Sequence, residues 1–142
     1  MAYNILIVDD SSSMRSVIKK IVKASGFNVG EYLEASDGKI AMDVLATEWV
    51  DVVLTDLNMP NMNGLELLAE MKKDPILTSI PVVMVTTAGD EGSMKQSMGM
   101  GAKGYIRKPF MPEEIKSTLM NIMGMEANGT IENDANDSGG DF

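Results

Sequence analysis

The side chains of this chain that could do chemistry are oxygen donors and a well-placed ammonium. Asp9 and Asp10 close the run "NILIVDD", Asp56 closes "DVVLTD", Thr86 and Thr87 follow "PVVMV", and Lys108 ends "KGYIRK". The chain contains no cysteine and no histidine. Disulfides, thiol nucleophiles and thiolate metal sites are therefore excluded, and the commonest general base and transition-metal ligand are missing. A nucleophile here must be Asp, Glu, Ser, Thr, Lys or Tyr, and a metal must be a hard cation held by oxygen. If Asp9, Asp10 and Asp56 meet, three carboxylates repel one another, and a divalent cation relieves that repulsion. With oxygen ligands only, Mg²⁺ is the first choice, octahedral and keeping several waters.

Those residues meet only if the elements between them bring them together. Short β-branched runs alternate with helical patterns along the chain. Residues 4 to 9 read as a strand, and "SSSMRSVIKKIVKAS" follows as a helix with serines at its start and Gly26 as its stop. Its apolar spacing is Met14, Val17, Ile18, Ile21 and Val22. A second strand covers about 29 to 35, and Asp37 caps a helix with the apolar face Ile40, Ala41, Val44 and Leu45. "DVVLTD" and "GLELLAEMKK" form the third strand and helix. "PVVMVT" and a Gly- and Met-rich stretch from about 91 to 99 form the fourth pair. "KGYIRK" and "MPEEIKSTLMNIM" form the fifth, with Pro112 and two acids in the last helix's first turn. Five β-α units in strict alternation predict an α/β fold, a doubly wound five-stranded parallel sheet with helices on both faces. In such a sheet the carboxyl ends of the strands share one edge, where ligands bind. All the residues named above fall on that edge.

Each of them alone has an ordinary explanation. Asp10 could cap the first helix, Asp56 could form a turn before "NMPN", Thr86 could be a strand residue, and Lys108 a surface lysine. Their coincidence at matching strand ends is what favours a site. "ILIVDDSSSMR", "LTDLNMPNMNGLELL", "VMVTTA" and "GYIRKPF", in that order, resemble the receiver domain of two-component response regulators, closest to its stand-alone chemotaxis members. The resemblance spans residues 3 to 125 and implies a flavodoxin-like sheet order. It implies that Asp56 accepts a phosphoryl group from a histidine kinase, and that Asp9, Asp10, Asp56 and the backbone carbonyl of Asn58 hold Mg²⁺. It further implies that Lys108 pairs with the phosphoryl oxygens, that Thr86 binds one of them, and that Tyr105 is an aromatic switch. The peptide bond before Pro109 is expected to be cis. Such a protein promotes its own phosphorylation and dephosphorylation and is not a turnover enzyme. Carboxylate chemistry of this kind is mostly positioning and charge neutralisation. Without histidine, the chain cannot serve as a phosphohistidine donor.

The output expected from the resemblance is phosphorylation-dependent protein binding, most readily to the flagellar motor switch in chemotaxis, with a phosphatase as a further possible partner. One alternative is a phosphorelay intermediate passing phosphate to a histidine phosphotransfer protein. More distant are a haloacid dehalogenase-type Mg²⁺ phosphatase, which wants Asp-x-Asp rather than "VDDS", and a flavodoxin-like nucleotide binder, whose phosphate loop Asp9 and Asp10 would repel. Ala88 stands where some relatives carry Glu, which bears on acyl phosphate hydrolysis. Met94, Met98, Met100 and Met111, set among Gly92, Gly99 and Gly101, suit a face that repacks against a partner.

Hydrophobic residues at 44% and charged residues at 23% suit one globular domain of 142 residues. The net charge of −9 makes nucleic acid and anionic membrane poor direct partners. No apolar run reaches the roughly 18 residues that span a bilayer, and "MAYN" lacks the basic region of a signal peptide. The expectation is a cytoplasmic monomer without membrane insertion. Residues 126–142 hold five acids and no Lys or Arg, and are expected to form a flexible tail outside a receiver domain of residues 1–125.

Overall fold

The computed structural model describes residues 2–87 and 91–124; the expected tail at 126–142 and the position of Ala88 lie outside the described residues. Five parallel strands, β1 (Tyr3–Val8), β2 (Val29–Ala35), β3 (Val52–Thr55), β4 (Val82–Thr86) and β5 (Gly104–Arg107), stand in the order β2-β1-β3-β4-β5. Five helices connect or follow them: α1 (Ser12–Ser25), α2 (Gly38–Thr47), α3 (Gly64–Lys73), α4 (Glu91–Gly99) and α5 (Pro112–Ile122). The expected doubly wound fold is therefore present.

Period-two alternation divides the core between the two sheet faces. Ile5, Ile7, Leu54, Val83 and Val85 pack with Ile18 and Val22 of α1 and with Ile115 and Leu119 of α5. Leu6, Val8, Val53 and Met84 pack with Ala41 and Leu45 of α2 and with Leu67, Leu68 and Met71 of α3. The central strands are apolar throughout because both their faces are covered.

Local chemistry sets the helix starts. Ser11 accepts the Met14 N–H at the head of α1, and Asp37 accepts the Ile40 N–H at the head of α2. Asn63 and Glu66 close a reciprocal capping box on α3. Gly26, at φ 82°, ends α1 in the left-handed region. The cap of α1 is thus Ser11 and not Asp10.

Two apolar positions depart from the expected helix faces. Val17 and Ile40 are exposed, because each buried stripe is only about one ridge wide and both lie on its shoulder. A 3-10 turn at Leu77–Ser79, without any strong periodic signal in the sequence, leads into β4.

Candidate functional site

The site is assembled by strand register. Val8 of β1 pairs with Thr55 of β3, so the next residues, Asp9 and Asp56, leave adjacent strands side by side. The Asp56 N–H donates to the Val8 carbonyl at 2.9 Å, which extends the ladder to the acid itself. β4 lies beside β3 and ends in the fully buried Thr86. Across β4, the Lys108 N–H donates to the Thr86 carbonyl at 2.9 Å. The Lys108–Pro109 peptide is cis, as expected.

The side chains converge at that edge. Carboxylate oxygens of Asp9, Asp10 and Asp56 all lie within 4.8 Å of one another. The Lys108 Nζ is 2.9 Å from Asp9 Oδ2 and 3.8 Å from Asp56 Oδ2. Asp9 is buried, Asp56 half-buried and Asp10 exposed, so the cluster runs from interior to solvent. Asp9 Oδ1 accepts the Ser11 N–H at 2.9 Å, so its carboxylate also orders the turn into α1. Asp56 Oδ1 accepts the Leu57 N–H at 2.8 Å, which leaves Oδ2 as the oxygen facing Lys108.

The donor set suits Mg²⁺. It is all oxygen and carries three formal negative charges, the hard-donor chemistry that Mg²⁺ prefers. A softer metal finds nothing here to prefer, since the chain has neither histidine nor cysteine.

The loop carrying Asp56 and Asn58 is clamped by the two helices that flank it, which the sequence reading did not anticipate. The Gly64 N–H donates to the Leu57 carbonyl and the Gly38 N–H to the Met62 carbonyl, both at 2.9 Å. Neither position has room for a Cβ. One at Gly64 would lie 2.3 Å from the Asp56 carbonyl oxygen, and one at Gly38 would lie 2.6 Å from the Met62 side chain. Asn61, at φ 66°, donates its amide to Asp37 Oδ2 at 2.8 Å. Asn is among the few residues that tolerate this backbone region and can bond locally from it.

Arg15 is a second unanticipated residue. Its guanidinium donates to the Asp9 carbonyl and pairs with Glu34, whose other oxygen takes Lys19 at 2.7 Å. These bonds from Lys19 and Arg15 hold the Glu34 carboxyl below its ordinary range. The only signal in the sequence was a basic residue one turn into α1, which reads as a solvated position.

Tyr105, on β5, is half-buried, pairs in register with Met84 and packs against the α2–α3 side of the core. Of the α4 residues only Ser97 is buried; Met94, Met98 and Met111 are exposed.

Comparison with known proteins agrees with this fold. Residues 5–120 match the family described as "Response regulator receiver domain". A chemotaxis protein CheY homolog of Campylobacter jejuni is 40% identical over 121 residues, spanning 84% of this chain and 92% of the relative. The structure of chemotaxis response regulator CheY4 of Vibrio cholerae superposes with a TM-score of 0.73 at 30% identity, over 86% of this chain and 99% of that one. A phosphorylated cyanobacterial phytochrome response regulator, RcpA, gives 0.71 at 29% identity, over 86% and 91% of the two chains.

Proposed function

The chain belongs to the response regulator receiver domain family, and we propose from this that its phosphoacceptor is the Asp56 carboxylate. As a member it is a signalling protein and not a conventional enzyme. The observation that carries the assignment of Asp56 is its orientation. One oxygen is tied to the Leu57 N–H while the other faces Lys108 beside two further acids.

The reaction follows from that arrangement. Asp56 Oδ2 attacks the phosphorus of a phosphohistidine on a kinase, or of a small acyl phosphate. The new O–P bond forms as the P–N or P–O bond to the donor breaks, and the donor leaves with the electron pair. Asp9 and Asp10, with Asp56 and the Asn58 carbonyl, would hold Mg²⁺, which when bound neutralises and orients the phosphoryl oxygens. Lys108 is placed to exchange Asp9 for a phosphoryl oxygen, which keeps its charge paired throughout. Thr86, ending the neighbouring strand, supplies a hydroxyl, and Tyr105 responds to its movement on the partner-binding face.

The output is phosphorylation-dependent protein binding. Two relatives are named as chemotaxis proteins, which supports the reading implied by the family resemblance that the target is the flagellar motor switch, with a phosphatase as a further partner. The test of the acceptor is labelling by acetyl phosphate in the presence of Mg²⁺. Asp56→Asn is expected to abolish label while circular dichroism is unchanged, and undiminished label would move the acceptor elsewhere. A pull-down with and without a phosphate mimic at Asp56 then identifies the output partner.

A further inference from the structure

At the opposite end of the sheet from the acid cluster, the strands begin beside an apolar groove of about 520 Å³. Leu45, Leu77, Ile80, Pro81 and Met123 line it. On its rim stand the two most exposed large apolar side chains among the described residues, Trp49 at 77% and Ile76 at 80%. Trp49 is fixed in place. Its indole N–H donates to Asp51 Oδ1 at 3.0 Å, its carbonyl accepts from the Asn4 amide at 3.0 Å, and Asp51 Oδ2 takes the Asn4 N–H at 2.7 Å. An exposed Trp held rigid beside an apolar cleft has already lost the freedom that binding would otherwise cost, which is how interface anchors are built.

We propose that this groove docks a cationic amphipathic segment of a partner protein, at a surface separate from the phosphorylation site. Charge selects the occupant. Among the described residues, the charged ones lining the groove are Glu48 and Asp51, with no Lys or Arg. The Glu48 carboxylate makes no hydrogen bond or ion pair among the described residues, and the open Trp49 ring offers a face to a Lys or Arg. A second copy of this chain carries a net charge of −9, and residues 126–142 carry five acids without a basic residue, so both bring like charge to that rim. A segment with Leu or Ile on one face and Lys or Arg on the other fills the cleft and pairs with Glu48. Because the groove lies at the amino ends of the strands, its occupancy does not depend on Asp56, so this surface suits a constitutive tether.

Trp49 is the only tryptophan and reports directly. A synthetic helical peptide of Leu and Lys is titrated into the full-length protein, with a Leu and Glu peptide of the same pattern as control. The Lys peptide is expected to blue-shift Trp49 emission and move the amide resonances of residues 48–51 and 76–81, while the Glu peptide does neither. Ile76→Asp and Glu48→Lys each weaken binding by about tenfold or more, with acetyl phosphate labelling unchanged; Asp56→Asn loses label and keeps peptide affinity. Undiminished affinity in Ile76→Asp, or resonance shifts confined to other acidic surfaces, would overturn the proposal. So would Trp49 already shielded from acrylamide without peptide: independent of concentration, this means the chain's own end covers the groove, and rising with concentration, a second copy does.

Discussion

Replacing Gly64 by Ala tests whether the clamp on the Asp56 loop sets the reactivity of the site. A methyl carbon there would lie 2.3 Å from the Asp56 carbonyl oxygen and 3.1 Å from the Leu57 Cα. Both are backbone atoms, so no side chain can swing aside. Contacts below 3.0 Å are essentially never tolerated, so the loop and the start of α3 must part by about 0.7 Å. Overpacking of this kind costs about 1–3 kcal/mol. A displacement approaching 1 Å in a positioned reacting group slows chemistry by up to about 100-fold. Urea unfolding is expected to show the stability loss. The rate of acetyl phosphate labelling, measured where circular dichroism shows both proteins folded, is expected to fall about 10- to 100-fold. Gly99→Ala is the matched control, since nothing lies within 4 Å of its Cβ position. It should label normally and gain roughly 0.5–1 kcal/mol. A Gly64→Ala protein that is as stable as wild type and labels at the same rate would refute the reasoning.

Further outcomes follow from the same geometry. Mg²⁺ at ten times its Kd is expected to stabilise the protein by about 1.4 kcal/mol, or roughly 4 °C in Tm, at matched ionic strength; the shift disappears in Asp9→Asn and in Asp56→Asn if the ion binds there. Asp37 is held below the ordinary carboxylate range by the Ile40 N–H and then by the Asn61 amide. A depressed carboxyl contributes stability above its unfolded value that is lost as pH falls through its folded value. Wild type should therefore lose stability at about pH 4 and lower, and Asp37→Asn should show a flatter acid limb in thermal scans, equal limbs counting against the assignment. For the output switch, a phosphate mimic at Asp56 should raise partner affinity in wild type but much less in Tyr105→Ala and Lys108→Ala. Equal gains in all three proteins would take the switch away from these residues.

How much was legible in the sequence varies with the range of the forces involved. The elements were readable because their signals are local. Continuous apolar runs marked strands covered on both faces, Asp37 and Gly26 marked helix ends, and the Gly- and Met-rich stretch expected to be helical at about 91 to 99 is α4, Glu91–Gly99. Val17 and Ile40 were misplaced because periodicity gives the direction of an apolar stripe but not how much of it a neighbouring layer covers. Arg15 and Gly38 were missed because their partners Glu34 and Met62 belong to other elements, and Gly64 because its close backbone approach to Asp56 exists only once the loop is folded.

The sequence by itself determined the class of chemistry. Without histidine or cysteine, a metal could be held only by oxygen and a nucleophile had to be Asp, Glu, Ser, Thr, Lys or Tyr, and β-α alternation sent three carboxylates, hydroxyls and one ammonium to one edge of a sheet. Tertiary structure decided where each carboxylate sits. Asp9 and Asp10 are neighbours in sequence, yet one is buried and the other exposed, since β1 ends at Val8: the Asp9 N–H still donates to the Ala35 carbonyl of β2, while Asp10 lies in the bend that leads out to α1. Lys108 pairs with an acid 99 residues away, a contact that exists only because strand register ends β1, β3 and β5 at the same edge. The exposure of Trp49 and Ile76 beside a cleft has the same origin: burial depends on which surfaces the completed fold leaves uncovered, and no local pattern encodes that.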